Sequence, residues 1–226
     1  MTVHQVCVLG GTGFIGREVV ARLGALGHEV KVLTRNPAQH RELIVLPSVR
    51  LVRANVHDEA TLAREFRGCD VVVNLVGILN ERALGRGNGA EFRRVHTELP
   101  QKAVRACRQS GVRRYLHMSG LKADSKRGPS HYLRSKGAAE DYIREHCADG
   151  APDYVIFKPS VVFGPGDAFI NNFATILSSR RACCRSRARR RSSRRSTSVT
   201  SRRRSSSAST AATSSAAPTN CAARRC

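Results

Sequence analysis

The sequence predicts an α/β fold, a doubly wound parallel sheet with helices on both faces in three α/β/α layers. Three observations predict it. Short runs rich in Val and Ile alternate with stretches at helical spacing. A glycine cluster, Gly10-Gly11-Thr12-Gly13, stands between the first such run and the first helix. The runs are apolar throughout, as in strands buried on both faces.

Residues 3–9, Val-His-Gln-Val-Cys-Val-Leu, read as the first strand. Phe14, Ile15, Val19, Val20, Leu23 and Leu26 follow at helical spacing, and Gly27 stops that helix. Residues 30–33 are the next strand, which completes a segment the size of one βαβ unit. The alternation continues with strand 49–52, a helix near 61–66, strand 71–76, a helix through 103–107, strand 115–118, helix 132–145 and strand 154–157. Right-handed crossovers wind such a sheet doubly. Pro100 falls where the helix through 103–107 should begin, either inside its first turn or kinking its start. Residues 79–90, with Gly85, Gly87 and Gly89, read as a loop at the carboxyl end of strand 71–76, either a lid or a plain surface connection.

Charge is spread unevenly. Of 39 Lys and Arg against 17 Asp and Glu, 14 Arg and no acid lie in residues 178–226, which leaves the first 177 residues at +8. That last stretch has one Val as its only large aliphatic side chain and cannot bury enough apolar surface to order itself. The expected organisation is a nucleotide-binding domain over 1–177 followed by a disordered basic tail over 178–226. The chain holds no 18-residue apolar run and no basic-then-apolar leader, so a soluble, cytoplasmic protein without a membrane span is expected. Eight cysteines show no C-x-x-C pair and no Cys/His group at zinc spacing, so neither a metal site nor a disulfide framework is expected. The eight histidines are scattered, and their spacing suggests only ordinary core or surface roles.

Gly10, Gly13 and Gly16 form G-x-x-G-x-x-G between a strand and a helix. Such a turn needs positive φ, close approach of backbone to a pyrophosphate, and tight helix packing. The free amides and positive dipole end of the helix beginning near Phe14 then hold the anion. An NAD-selective site usually places Asp or Glu about 20 residues past the glycines, but Thr34-Arg35-Asn36 stands there. Arg35 suits a 2′-phosphate, which favours NADP(H) over NAD(H) while leaving NAD(H) open. Tyr132 and Lys136, four residues apart, share one helix face. A nearby ammonium favours the phenolate, bringing Tyr132 toward proton exchange with a carbonyl or carbinol oxygen.

The chain resembles the extended, atypical branch of the short-chain dehydrogenase/reductase superfamily, with its NAD-dependent epimerases and dehydratases. Within that branch it is similar to the subunit-9 family of respiratory complex I. The resemblance rests on Val8 through Gly16, Asp70 through Gly77, Leu99-Pro100-Gln101, Tyr132 with Lys136, and Lys158 through Gly164, and it covers residues 3–177. It implies the Rossmann arrangement, with Gly10, Thr12, Gly13, Phe14 and Ile15 along the pyrophosphate. It further implies Arg35 on the adenosine side, Asn55 and Val56 at the adenine, and Leu75, Val76 and Gly77 beneath the ribose. Lys136 would hold the nicotinamide ribose, with Pro159 to Val162 bordering the nicotinamide. Tyr132 would be the acid/base for an unknown small-molecule substrate. The family's third catalytic group is a hydroxyl, commonly the second residue of a Ser-Ser or Ser-Thr pair after the fifth strand; here the pair is Ser119-Gly120. Ser119 is thus a candidate catalytic or merely structural serine, and turnover is open. The complex I members bind a reduced nicotinamide cofactor as assembly or stability elements, which implies association with such a complex, peripheral to the membrane.

Residues 178–226 allow two readings. As written, the arginine–serine run 185–195 would bind RNA or DNA through phosphates. Alternatively, the tail is an out-of-frame translation. Residues 195–206 can be back-translated so that a shifted frame encodes Val-Tyr-Val-Gly-Asp-Val-Ala-Glu-Ala-Phe-Val, similar to a segment that the family carries after its F-G-P-G-D turn. The same frame over 217–224 allows Thr-Tyr-Gln-Leu-Arg-Gly-Pro, again family-like. The second reading is preferred, and with it nucleic-acid binding is not expected.

Overall fold

The computed structural model describes residues 3–81 and 89–164. The sequence readings for 82–88 and for everything after 164, including the boundary at 178 and the tail, lie outside the described residues.

Among the described residues, six strands form one parallel sheet: β1 (Gln5–Leu9), β2 (Glu29–Thr34), β3 (Val49–Arg53), β4 (Val71–Asn74), β5 (Arg114–Met118) and β6 (Asp153–Phe157). Their spatial order is β3-β2-β1-β4-β5-β6. This is the doubly wound Rossmann order, reversing direction between β1 and β4 and opening a crevice at the carboxyl ends of those two strands. The helices are α1 (Phe14–Ala25), α2 (Glu59–Phe66), α3 (Ala90–Phe92), α4 (Leu99–Ser110) and α5 (His131–His146).

Two apolar layers hold the sheet. On one face Val20 of α1 meets Val6, Val8, Val30, Val32 and Val73. On the other, α2, α4 and α5 bring Leu62, Phe66, Leu99, Val104, Cys107 and Ile143 onto Cys7, Leu9, Val72 and Tyr115. Cys7, Cys69, Cys107 and Cys147 are free and buried within this second layer, the small-hydrophobe role expected of buried thiols. At the β6 edge, Val155 and Phe157 are exposed.

Local chemistry explains the ends. Asp58 caps α2 by accepting from the Thr61 amide at 3.2 Å, and Ser130 caps α5 by accepting from Leu133 at 3.2 Å. Strand β4 stops at Asn74 rather than running to residue 76. The Leu75 amide still donates to the Leu9 carbonyl at 2.9 Å, and the Asn74 Oδ1 then accepts from the Val76 amide at 3.1 Å, a local turn that diverts the chain from the sheet after Leu75.

The helix around Pro100 starts earlier than its sequence suggests. Residues 90–92 run into a π-helical turn, Arg93–Glu98, and then into α4, with Pro100 in the first turn of α4. A proline there can donate nothing to the preceding turn and crowds its carbonyls; the wider π turn immediately before it relieves that crowding. No helix among the described residues is long and apolar enough to cross a membrane.

Candidate functional site

The turn from β1 to α1 meets the three demands on its glycines at distinct positions. Gly10 has φ +76, and a Cβ there would stand 2.9 Å from the backbone of Leu75 and Val76. A Cβ on Gly16 would lie 2.2 Å from the Gly10 carbonyl oxygen and 2.6 Å from the Gly11 Cα. Gly13 is different: a Cβ there would meet only the Gly10 oxygen, at 3.3 Å, so its other side is bare backbone. Gly13 also forms the N-cap of α1 without any side-chain cap. The amides of Phe14 and Ile15 therefore have no intrahelical acceptor and can receive an anion.

In front of this turn lies a cleft of about 850 Å³ whose lining includes Gly10, Thr12, Arg35, Asn55, Val56 and Val76. Six of the residues singled out from sequence thus share one cavity. Arg53 and Arg94 line it as well, and sequence spacing alone did not single them out. Arg53 was in principle findable, because parallel pairing sets Thr34 opposite Arg53 and so brings the ends of β2 and β3 together. His57 lines the same cleft. Partial burial, then the charges of Arg94, Lys102 and Arg35, push its imidazole below the usual value, so this end of the cleft carries a positive field.

Tyr132, Lys136 and Gly77 are not among the residues that line this cleft; α5 and the loops after β4 and β5 bring them together beside it, next to Val76 and Ile78, which do line it. Lys136 is 3% exposed and donates from Nζ to the Met118 carbonyl at 2.8 Å. Burial lowers its ammonium to about 8, against a smaller opposing pull from Glu140. A Cβ on Gly77 would be 3.6 Å from this Nζ. Tyr132 departs from the sequence expectation: burial raises its phenol above the usual value. In the chain alone, desolvation outweighs any help from the neighbouring ammonium.

Ser119 does not face Tyr132 as a partner. Its Oγ donates to Glu140 Oε1 at 2.5 Å. Glu140, 1% exposed, also accepts from Arg144 and Lys158, each at 2.6 Å. The residue that faces Tyr132 is Gly120: a Cβ there would sit 3.8 Å from the Tyr132 Oη, at ordinary contact distance. The position has room for a hydroxyl-bearing side chain and lacks one. Pro159 accepts the Leu121 amide at 2.8 Å, tying the segment after β6 to the loop after β5. Val162, farther along, is 40% exposed. That segment reaches the glycine turn at Gly164, where a Cβ would lie 3.2 Å from the Phe14 ring.

Two of the histidines take core positions. His117 is 1% exposed, and burial lowers it to about 3. Its ring stacks on Tyr115 at 6.1 Å, with no hydrogen-bond partner at either nitrogen among the described residues. His96, fully buried and lowered to about 3 by burial and Lys136, packs edge-on to Tyr132 at 5.1 Å. Among the described residues, no group of three or more His, Cys, Asp or Glu is placed to hold a metal ion.

A family model described as NAD(P)H-binding matches residues 10–165. NADH dehydrogenase (ubiquinone) 1 alpha subcomplex subunit 9, mitochondrial, of Mus musculus is 32% identical over 171 residues, which is 74% of this chain and 43% of that protein. Ceramide reductase of Caulobacter vibrioides is 33% identical over 167 residues, 72% of this chain and 47% of its own length. The chain thus spans less than half the length of these curated relatives. A solved UDP-galactose 4-epimerase superposes with TM-score 0.64 at 24% identity, over 78% of this chain and 63% of that one. The dTDP-glucose 4,6-dehydratase DesIV double mutant of Streptomyces venezuelae, solved with NAD bound, superposes with TM-score 0.63 at 25% identity, over 77% and 62%.

Proposed function

The chain belongs to the NAD(P)H-binding family, and we propose that it holds NADP(H) in preference to NAD(H) in the cleft between the glycine turn and Arg35. The observation that carries this reading is the pairing of an uncapped helix start with three guanidinium groups, Arg35, Arg53 and Arg94, on one cleft. Backbone amides bind a pyrophosphate whatever the dinucleotide, whereas a cluster of guanidiniums where an acid would accept from a ribose hydroxyl favours a 2′-phosphate. Gly10, Thr12, Gly13, Phe14, Ile15 and Gly16 would form the pyrophosphate floor, with Asn55 and Val56 at the adenine and Leu75, Val76 and Gly77 under the ribose. Lys136 would hold the nicotinamide ribose beside Pro159 and Val162. Arg35→Ser should weaken NADPH about tenfold or more while leaving NADH within about twofold, read by titration calorimetry on the two dinucleotides. Equal losses for both would remove the case for NADP(H).

A bound nicotinamide supplies a site that gives or takes a hydride. Tyr132 would face it as the proton donor, held by α5, with Lys136 four residues on. The relatives imply an oxidoreductase of the extended short-chain dehydrogenase type acting on a small molecule, or a complex I subunit-9-like protein. A second reading, nucleotide binding without turnover as a scaffold or assembly factor, has its own support: the Ser119 hydroxyl is taken by Glu140, and Gly120 brings none. Under the first reading Tyr132→Phe abolishes a measured reductase activity with NADPH binding retained. Under the second there is no activity to lose, and Gly120→Ser, which restores a hydroxyl beside Tyr132, is expected to create or raise it. Residues 1–177 would be the nucleotide-binding domain, cytoplasmic or peripheral to a membrane through a complex I-like partner.

A further inference from the structure

Resting on the cofactor reading above, the geometry points to His96 as a positioning residue that couples the floor under the nicotinamide ribose to the Tyr132–Lys136 turn. Its ring is held from both sides by groups of opposite origin. The Ile78 amide, in the segment that leaves β4, donates to His96 Nε2 at 3.0 Å. An Nε2 that accepts leaves the proton of a neutral imidazole on Nδ1. Nδ1 then donates to Ser135 Oγ at 3.1 Å, and that hydroxyl donates to the Tyr132 carbonyl at 2.8 Å. The relay runs from the Leu75–Ile78 segment through one buried ring into the first turn of α5.

Packing fixes the ring as firmly as the hydrogen bonds do. Phe92 stacks on it at 5.5 Å with planes 21° apart, and Tyr132 meets it edge-on at 88°. Thr97, the next residue, donates to the Ser135 carbonyl at 2.9 Å. A Cβ on Gly77 would be 3.6 Å from His96 Nε2 and equally 3.6 Å from Lys136 Nζ. Burial keeps the imidazole neutral, so the relay does not change with pH in the ordinary range. His96 bonds to Ile78 and Ser135 and is not among the residues lining the cleft with Gly10, Thr12 and Arg35, so its removal should be felt by only half of the ligand.

The test titrates NADPH and adenosine 2′,5′-bisphosphate, which lacks the nicotinamide half, into the full chain. His96→Phe keeps a ring between Phe92 and Tyr132 but takes neither hydrogen bond. It should weaken NADPH about tenfold and leave the bisphosphate within about twofold. Ser135→Ala, a small change that breaks the relay at its middle, should produce the same selective loss and serves if His96→Phe does not melt cooperatively. Unchanged NADPH binding in both variants, or equal losses for the two ligands, would overturn the coupling while the cofactor reading stands. A wild-type chain that binds neither ligand would overturn both.

Discussion

Gly16→Ala is expected to abolish NADPH binding and to lower stability by about 3 kcal/mol or more, the upper range of overpacking in a closed site. The cause is geometric. The new methyl would stand 2.2 Å from the Gly10 carbonyl oxygen and 2.7 Å from the Gly11 carbonyl carbon, both backbone atoms with no rotamer to escape into. Relief requires α1 to move off the turn, and the amides of Phe14 and Ile15 move with it. A urea melt and a dinucleotide titration on the same sample check this. A midpoint within error of wild type would show that the turn adapts and that the contact is not restrictive. Gly13→Ala is the useful contrast, because its methyl meets only one backbone oxygen at 3.3 Å. It should fold nearly as well as wild type and still bind poorly, since the methyl occupies the side an anion must approach.

Glu140→Gln should be the second large effect, destabilising by about 2–4 kcal/mol. Its carboxylate is the meeting point of Lys158, Arg144 and the Ser119 hydroxyl, and it is the counter-charge nearest in kind to the buried Lys136 ammonium. Removing one partner of a buried ionic group leaves the others uncompensated. The figure sits toward the low end of that cost because Lys158 and Arg144 are 39% and 46% exposed and can turn to water.

A pH signature accompanies it. Lys136 titrates at about 8 in the folded chain against an ordinary 10.5. The unfolded chain therefore binds the extra proton between those values, and the penalty of burying the ammonium, present below about pH 8, is relieved as pH rises toward 10.5. Nucleotide affinity should run the opposite way, declining as pH rises through about 8 and the ammonium that would hold the ribose is lost. In Glu140→Gln the charge that raises Lys136 is gone, so the decline should begin at lower pH. Calorimetric titrations of NADPH across that range, wild type against variant, decide it; superimposable profiles would mean that Lys136 does not sense Glu140.

What could be read from the sequence was what depends on neighbours along the chain. The glycine spacing, the Tyr132–Lys136 pair and the strand–helix alternation each need only a few adjacent residues. Arg35 needed only its place after β2. His96 was illegible because its meaning lies in Ile78, 18 residues back, and Ser135, 39 residues on. Glu140 is likewise invisible to spacing, since Ser119 and Lys158 reach it only once β5, β6 and α5 are assembled. Tyr132 shows the limit in another way: the pattern suggests an easier phenol, and burial, which no spacing reveals, raises it.

The π turn at Arg93–Glu98 has a consequence for how this stretch can vary. Because a π turn is one extra residue absorbed into an α-helix, losing one there would let the turn close to α geometry while the helix on either side kept nearly its phase. The side chains inside the turn, His96 among them, would be re-aimed away from Ile78 and Ser135, although the rest of the helix had kept its place. The segment should therefore accept exchanges at its outward arginine, Arg93, while rejecting any single-residue deletion, so that length rather than composition is what inheritance must preserve there.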